Sequence, residues 1–358
     1  MNRSMYPLFS LAVCLIILLF LLATIPIQAQ PYAYVTNFAT VSVIDTKTNT
    51  VTATIPFGGY LQCVAVTQDA SRAYVTSLED ATVYVVDGAT NTVIDTIGSL
   101  AAPTAIAVNP NGTHIYVTSD GAQTVTVVDT ATHAVIATLP WGGSGIAINR
   151  TGTRAYSTFG SSPGRVQVID AMNQKRLAFI AIGDQAFGIA VHPDGTRAYV
   201  TNNGSNTVSV IDTVQNKVIG LIRVGFSPAG IAVSSTGDRA YVANFADNTV
   251  SVINLASNVV IDNVAVETAP VWIAVTPDGT SAYVANYGSN TVSVIDTASD
   301  SVIASIAVGT SPASVGITPG LGPPTSKEQC KNGGWQLFTF PRELKDEGDC
   351  ISYVNHSK

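Results

Sequence analysis

The sequence predicts an all-β fold, a seven-bladed β-propeller of four-stranded antiparallel blades, and three observations lead there. A small residue followed by Tyr-Val-Thr/Ala, or a close variant, returns at Tyr34, Tyr74, Tyr116, Tyr156, Tyr199, Tyr241 and Tyr283; the intervals of 40, 42, 40, 43, 42 and 42 residues mark one supersecondary unit copied seven times. Each copy holds four runs of β-branched and aromatic residues with period-two alternation, separated by the Gly, Pro, Asn and Asp that tight turns require. The chain also enters and leaves the repeat out of phase, so its last run is available to finish its first blade.

The copy that begins at Pro228 shows the elements in order. Residues 230–233 form a first apolar strand, 235–238 a turn, and 239–244 a second strand. Residues 245–248 are a loop, 249–253 a third strand, and 259–264 a fourth strand after a polar corner. A four-stranded sheet with apolar residues on both faces must pack against another sheet, and radial stacking does this while leaving only short edges. Because the chain starts at a second strand (32–37) and ends at a first strand (313–317), pairing of these two segments closes the ring non-covalently.

Outside the propeller, 31–319, three segments are expected. Residues 1–29 read as a secretory signal peptide, with Arg3, an apolar run over 8–23, and cleavage after Ala29. Left uncleaved, residues 7–27 are long enough to span a bilayer, which gives the one expected route to a membrane. A linker follows the propeller at 320–328, then a small tail at 329–358 bounded by Cys330 and Cys350. In an oxidising compartment these two cysteines are expected to be bridged, worth about 3 kcal/mol in the chain-entropy account. Cys63, in an apolar strand, is expected to be a buried small residue.

The residues Arg197-Ala198-Tyr199-Val200-Thr201-Asn202, followed by Asn206-Thr207-Val208-Ser209-Val210-Ile211-Asp212, resemble the YVTN family of β-propeller repeats. The resemblance implies an extracytoplasmic location, secreted, periplasmic or at the cell surface, as in surface-layer proteins. It implies no activity, because the fold hosts binders and enzymes alike. Ser157 and Asn254 depart from the pattern without threatening the fold. The tail is similar to a short Cys-bounded segment of many secreted bacterial proteins.

A net charge of -7 argues against nucleic acid, which needs a basic stripe to release counterions. Six repeated aspartates (Asp45, Asp87, Asp129, Asp170, Asp212 and Asp296) end third strands, where a carboxylate organises a corner. No histidine pair has metal-ligand spacing, and Gly142-Gly143-Ser144-Gly145-Ile146 lacks the last Gly of a nucleophile elbow. Neither a metal nor a cofactor is therefore expected.

Sorting connections by face yields the candidate site. Loops between second and third strands, and those leading into the next blade, open on one side. That side collects Phe38, Phe57, Tyr60, Trp141, Phe159, Phe187, Phe226, Phe245, Trp272 and Tyr287, with the acids Glu79, Asp80, Asp120, Asp184, Asp247 and Glu267. Most lysines and arginines fall on the other side. Aromatics with a few acids suit stacking on sugar rings or docking a protein, or they plug the gaps between blades. The ligand set expected from this pattern is Tyr60, Trp141, Phe187, Phe226, Phe245, Trp272 and Tyr287. The expected function is a non-catalytic binding scaffold for an envelope glycan or envelope protein. Two alternatives are an enzyme of the propeller lyase or lactonase kind, using Asp120, Asp184, Asp247 and Glu267 with a cation, and a structural surface-layer subunit.

Overall fold

A computed structural model describes residues 31–319 of the chain. The expected leader (1–29), linker (320–328), tail (329–358) and Cys330–Cys350 bridge lie outside the described residues. Within them, seven four-stranded antiparallel sheets follow one another around a ring, and each first strand packs against that of the next blade until the circuit closes. Blades are numbered 1 to 7 by the tyrosine of their second strands, Tyr34 to Tyr283.

Blade 1 is assembled from both ends of the propeller. Ser314–Ile317 is its first strand, and Tyr32–Thr36, Thr40–Asp45 and Thr50–Pro56 are the next three. Val35 pairs with Val315 and Tyr34 with Gly316, the closure expected from the phase of the repeat. In blade 6 the third and fourth strands, Thr249–Asn254 and Val259–Ala265, each run one residue beyond the expected end. Blade 4 differs more, since its first strand is reduced to Ile146–Ile148. The glycines before it are needed for close approach: a Cβ on Gly142 would sit 2.0 Å from the Thr124 carbonyl oxygen, and one on Gly145 2.3 Å from that of Phe187.

The core lies between blades. Tyr34, Val41 and Val43 of blade 1 pack against Val64, Ala73, Val75 and Val86 of blade 2. Across the closure, Ala33, Val35, Ile44 and Val315 join Tyr283, Val292 and Val294 of blade 7. Each such Val or Ile contributes about 1.5–3 kcal/mol on burial, so a blade without neighbours would lose most of its stability.

Polar side chains stitch the wheel at two levels. Near the axis, the motif Thr of four blades donates to the next blade, as Thr36 Oγ1 to Gln62 O (3.0 Å), Thr76 Oγ1 to Thr104 O (3.1 Å), Thr158 Oγ1 to Phe187 O (2.7 Å) and Thr201 Oγ1 to Ala229 O (2.6 Å), while in blade 3 Thr104 Oγ1 crosses to Gly143 O (3.1 Å) instead. On the face that carries the third-to-fourth-strand corners, a second-strand side chain reaches the corner of the following blade. Tyr34 donates to Asn91 Oδ1 (2.6 Å), Tyr116 to Ala171 O (3.0 Å) and Tyr283 to Thr46 O (3.2 Å). Arg154, Arg197 and Arg239 do the same with the carbonyls of Thr213, Leu255 and Thr297.

The corners explain the repeated aspartates. Asp170 Oδ1 accepts from the backbone N–H groups of Met172 (2.9 Å) and Asn173 (3.2 Å), and Asp212 Oδ1 from those of Val214 (2.9 Å) and Gln215 (2.7 Å). Asn254 makes the same two bonds in blade 6, so a neutral side-chain oxygen also closes the corner. Each corner then turns through a left-handed residue, including Asn49, Asn91, Asn216 and Asn258 at φ between 54° and 55° except Asn216 at 51°.

Candidate functional site at the channel mouth

The second-to-third-strand loops and the connections between blades share one face, as the meander requires, and there a pocket of about 240 Å3 opens at the axis. Five blades and the closing strand line it. Blade 2 contributes Tyr60, Gln62 and Cys63; blade 3 Thr104, Ala105 and Asp120; blade 4 Ser144; blade 5 Phe187; blade 7 Val271, Trp272 and Tyr287. Ala313 and Ser314, at the start of the closing strand, complete the wall.

Four of the seven sequence-predicted rings therefore meet here: Tyr60, Phe187, Trp272 and Tyr287. Phe187 and Trp272 lie within first strands, Ala186–Val191 and Pro270–Val275, rather than in the preceding loops. Their position on innermost strands is what turns them toward the axis. Tyr60 packs on Phe38 with ring centroids 5.2 Å apart. Burial, and then the neighbouring Tyr287, hold the Tyr60 phenol above its ordinary pKa, so it stays a neutral donor.

The other three rings stand away from the mouth. Trp141 packs edge-on against Phe159 (5.9 Å) and Phe179 (6.2 Å) while 41% of it stays exposed. Phe226 is 62% exposed and its backbone N–H donates to Asp247 Oδ2 at 2.6 Å. Phe245 is exposed in its own loop. The single aromatic face expected from the sequence is thus divided into an axial group and an outer group.

Most acids of this face are engaged in building loops. Asp80 Oδ2 accepts from Ser77 and Tyr84, both at 2.8 Å; Asp184 Oδ1 from Ser162 at 2.7 Å; Glu267 from Thr291 and Ser305. Asp120 is the carboxylate that lines the mouth. Among the described residues no group of three or more His, Cys, Asp or Glu side chains is arranged to hold a metal ion. The histidines serve other places: His114 contacts Thr113 (2.8 Å), His133 pairs with Asp95 (2.8 Å), and His192 meets Gly237 O (2.9 Å).

Cys63 is buried and free, and burial pushes its thiol pKa up, which suppresses the thiolate. Sequence reasoning missed the axial threonines. Their signal is the last letter of the motif, Thr in blades 1 to 5 but Ala243 and Ala285 in blades 6 and 7. The hydroxyl stitch ends at those two blades, and the next strands along, carrying Val271 and Ser314, form one wall of the mouth.

No family model matches the chain, and no curated protein matches it. Solved structures do. A hydrazine synthase structure from Kuenenia stuttgartiensis is 22% identical, with a TM-score of 0.68, over 73% of this chain and 90% of that one. A protein of unknown function from Desulfotomaculum acetoxidans is 18% identical, with a TM-score of 0.71, over 80% of this chain and 99% of that one. Likeness at this level shows the β-propeller fold alone.

Proposed function

We propose that this chain is an extracytoplasmic binding scaffold of the YVTN-repeat type whose channel mouth contacts an envelope glycan or an envelope protein. The observation that carries the reading is the convergence of Tyr60, Phe187, Trp272 and Tyr287 on one pocket beside Asp120. Rings that can stack, phenols that can donate and one acceptor carboxylate form the donor set expected for a sugar or a polar peptide segment. The mouth belongs to no single blade, so its shape depends on closure of the wheel. The test is a binding screen of the protein against glycans and cell-envelope fractions, repeated with Trp272→Ala and Trp141→Ala. Loss with the first and retention with the second supports an axial contact.

A second reading, a structural surface-layer subunit, is favoured by one feature. The outermost strands expose apolar side chains at the rim, among them Ile136, Leu221, Ile261 and Ile303, which are 46%, 64%, 49% and 55% exposed. The strands of Ile136 and Ile303 carry no charge, and uncharged edge strands invite lateral association. Light scattering across a concentration series separates the readings, since a subunit of an array grows with concentration while a monomeric binder does not.

A further inference from the structure

The blade 2 to blade 3 junction breaks the rule that the others follow. Arg72 occupies the position of Arg154, Arg197 and Arg239, yet it turns back on its own blade to Ser71 O (2.8 Å) and Asp87 Oδ2 (3.0 Å). At the blade 3 corner, His133 stands where Asn91 receives a tyrosine hydroxyl in blade 2, and its ring pairs instead with Asp95 at 2.8 Å. The Thr130 hydroxyl beside it donates to Gly112 O at 2.6 Å and faces the Tyr74 phenol of blade 2. The crossing contact here runs the other way, from the blade 3 corner back to Asp95 on the outermost strand of blade 2, and between it and the turned-back Arg72 lies a cleft of about 600 Å3.

That volume lies within the roughly 300–1,000 Å3 typical of small-molecule sites. The polar wall of the cleft is made by Asp69, Arg72, Tyr74, Asp95, Asn111 and His133. Ile94, 47% exposed, and Pro110 supply an apolar floor.

We propose that this cleft is a second ligand site, on the face opposite the channel mouth, and that it takes a neutral sugar unit. Each charged group of the wall already holds a partner: Arg72 is paired with Asp87, Asp69 Oδ1 accepts from the Ser71 N–H and hydroxyl, and Asp95 Oδ2 contacts His133 Nδ1. What remains is a mixed set of donors and acceptors, namely guanidinium, phenol, carboxamide and carboxylate groups. Vicinal hydroxyls satisfy such a set by donating and accepting at once, while the C–H face of a pyranose covers Ile94 and Pro110. The proposal shares no residue with the mouth and stands whether or not the mouth binds anything.

The experiment is calorimetric titration of the full chain with glucose, galactose, mannose and N-acetylglucosamine, at concentrations that reveal millimolar affinity, with inorganic phosphate as the anionic control. Arg72→Ala removes the central donor, and Ala131→Trp fills the cleft from an exposed corner position without touching the blade core. Both are checked for an unchanged circular dichroism spectrum. At least one neutral sugar is expected to bind, about tenfold or more weaker in both variants and unaltered in Trp272→Ala. Silence with all four sugars, affinity that survives both cleft variants, loss of affinity in Trp272→Ala, or preference for phosphate would each overturn the assignment.

Discussion

Val35 and Val315 face each other across an antiparallel ladder although 280 residues of chain, the whole circumference of the wheel, separate them. Both are buried, and both belong to the cluster that joins blade 7 to blade 1. The closing strand is therefore expected to hold the wheel together. Val315→Asp places a charge without a partner in this seam and should cost on the order of 3 kcal/mol or more, read as a lower denaturant midpoint. A midpoint within error of wild type would mean that blade 1 stands without its first strand.

Asp212 and Asn254 make the same two backbone hydrogen bonds at their corners, so at the blade 5 corner geometry is expected to matter more than charge. Asp212→Asn should leave thermal stability nearly unchanged. Asp212→Ala removes the acceptor for two backbone N–H groups and should cost about 1–2 kcal/mol. Equal losses in the two variants, measured by thermal unfolding, would assign the role to charge instead.

Stability should fall in acid for a specified reason. Hydrogen bonds from Thr90 to Asp87, Thr132 to Asp129, Asn173 to Asp170 and Ser299 to Asp296 lower these carboxyl pKa values. A folded-state pKa below the unfolded one gives stability that is fully present above the unfolded carboxylate range, near about 3.9, and is lost as pH drops through the lowered folded values. Melting temperature should hold steady from neutrality to about pH 5 and decline below about pH 4. A rise on acidification would contradict the assignment.

The crossing arginines should differ from the one that turns back. Arg239 bridges blades 6 and 7, donating to Thr297 O at 2.9 Å and to Asp300 at 2.7 Å, and Asp300 is largely buried. Arg239→Ala should destabilise by about 2 kcal/mol, whereas Arg72→Ala, which breaks a more exposed pair within one blade, should cost less than about 1 kcal/mol. Chemical denaturation of the two variants side by side decides this.

Much of this architecture is legible in the sequence because it is written repeatedly. The Tyr motif sets the blade period, the Asp-rich corners mark one face, and the out-of-phase ends specify how blade 1 is completed. What repetition conceals is where one copy departs from the rest. Arg72 and Arg197 look alike in sequence, yet one reaches Asp87 of its own blade and the other Leu255 O of its neighbour. Phe187 and Trp272 were assignable to the correct face, but their turn into the axis depends on residing within an innermost strand. Trp141 has the same residue type and the same side of the wheel, and it packs on Phe159 and Phe179 well outside the channel.

The most direct test of the channel mouth as a contact surface is the affinity of the protein for its best-bound envelope fraction, compared with Trp272→Ala and Tyr60→Ala. An axial contact predicts a loss of about tenfold or more in each, the equivalent of about 1.4 kcal/mol or more, with Trp141→Ala near wild type. Affinity unchanged in both mouth variants, with their folds intact, would contradict it.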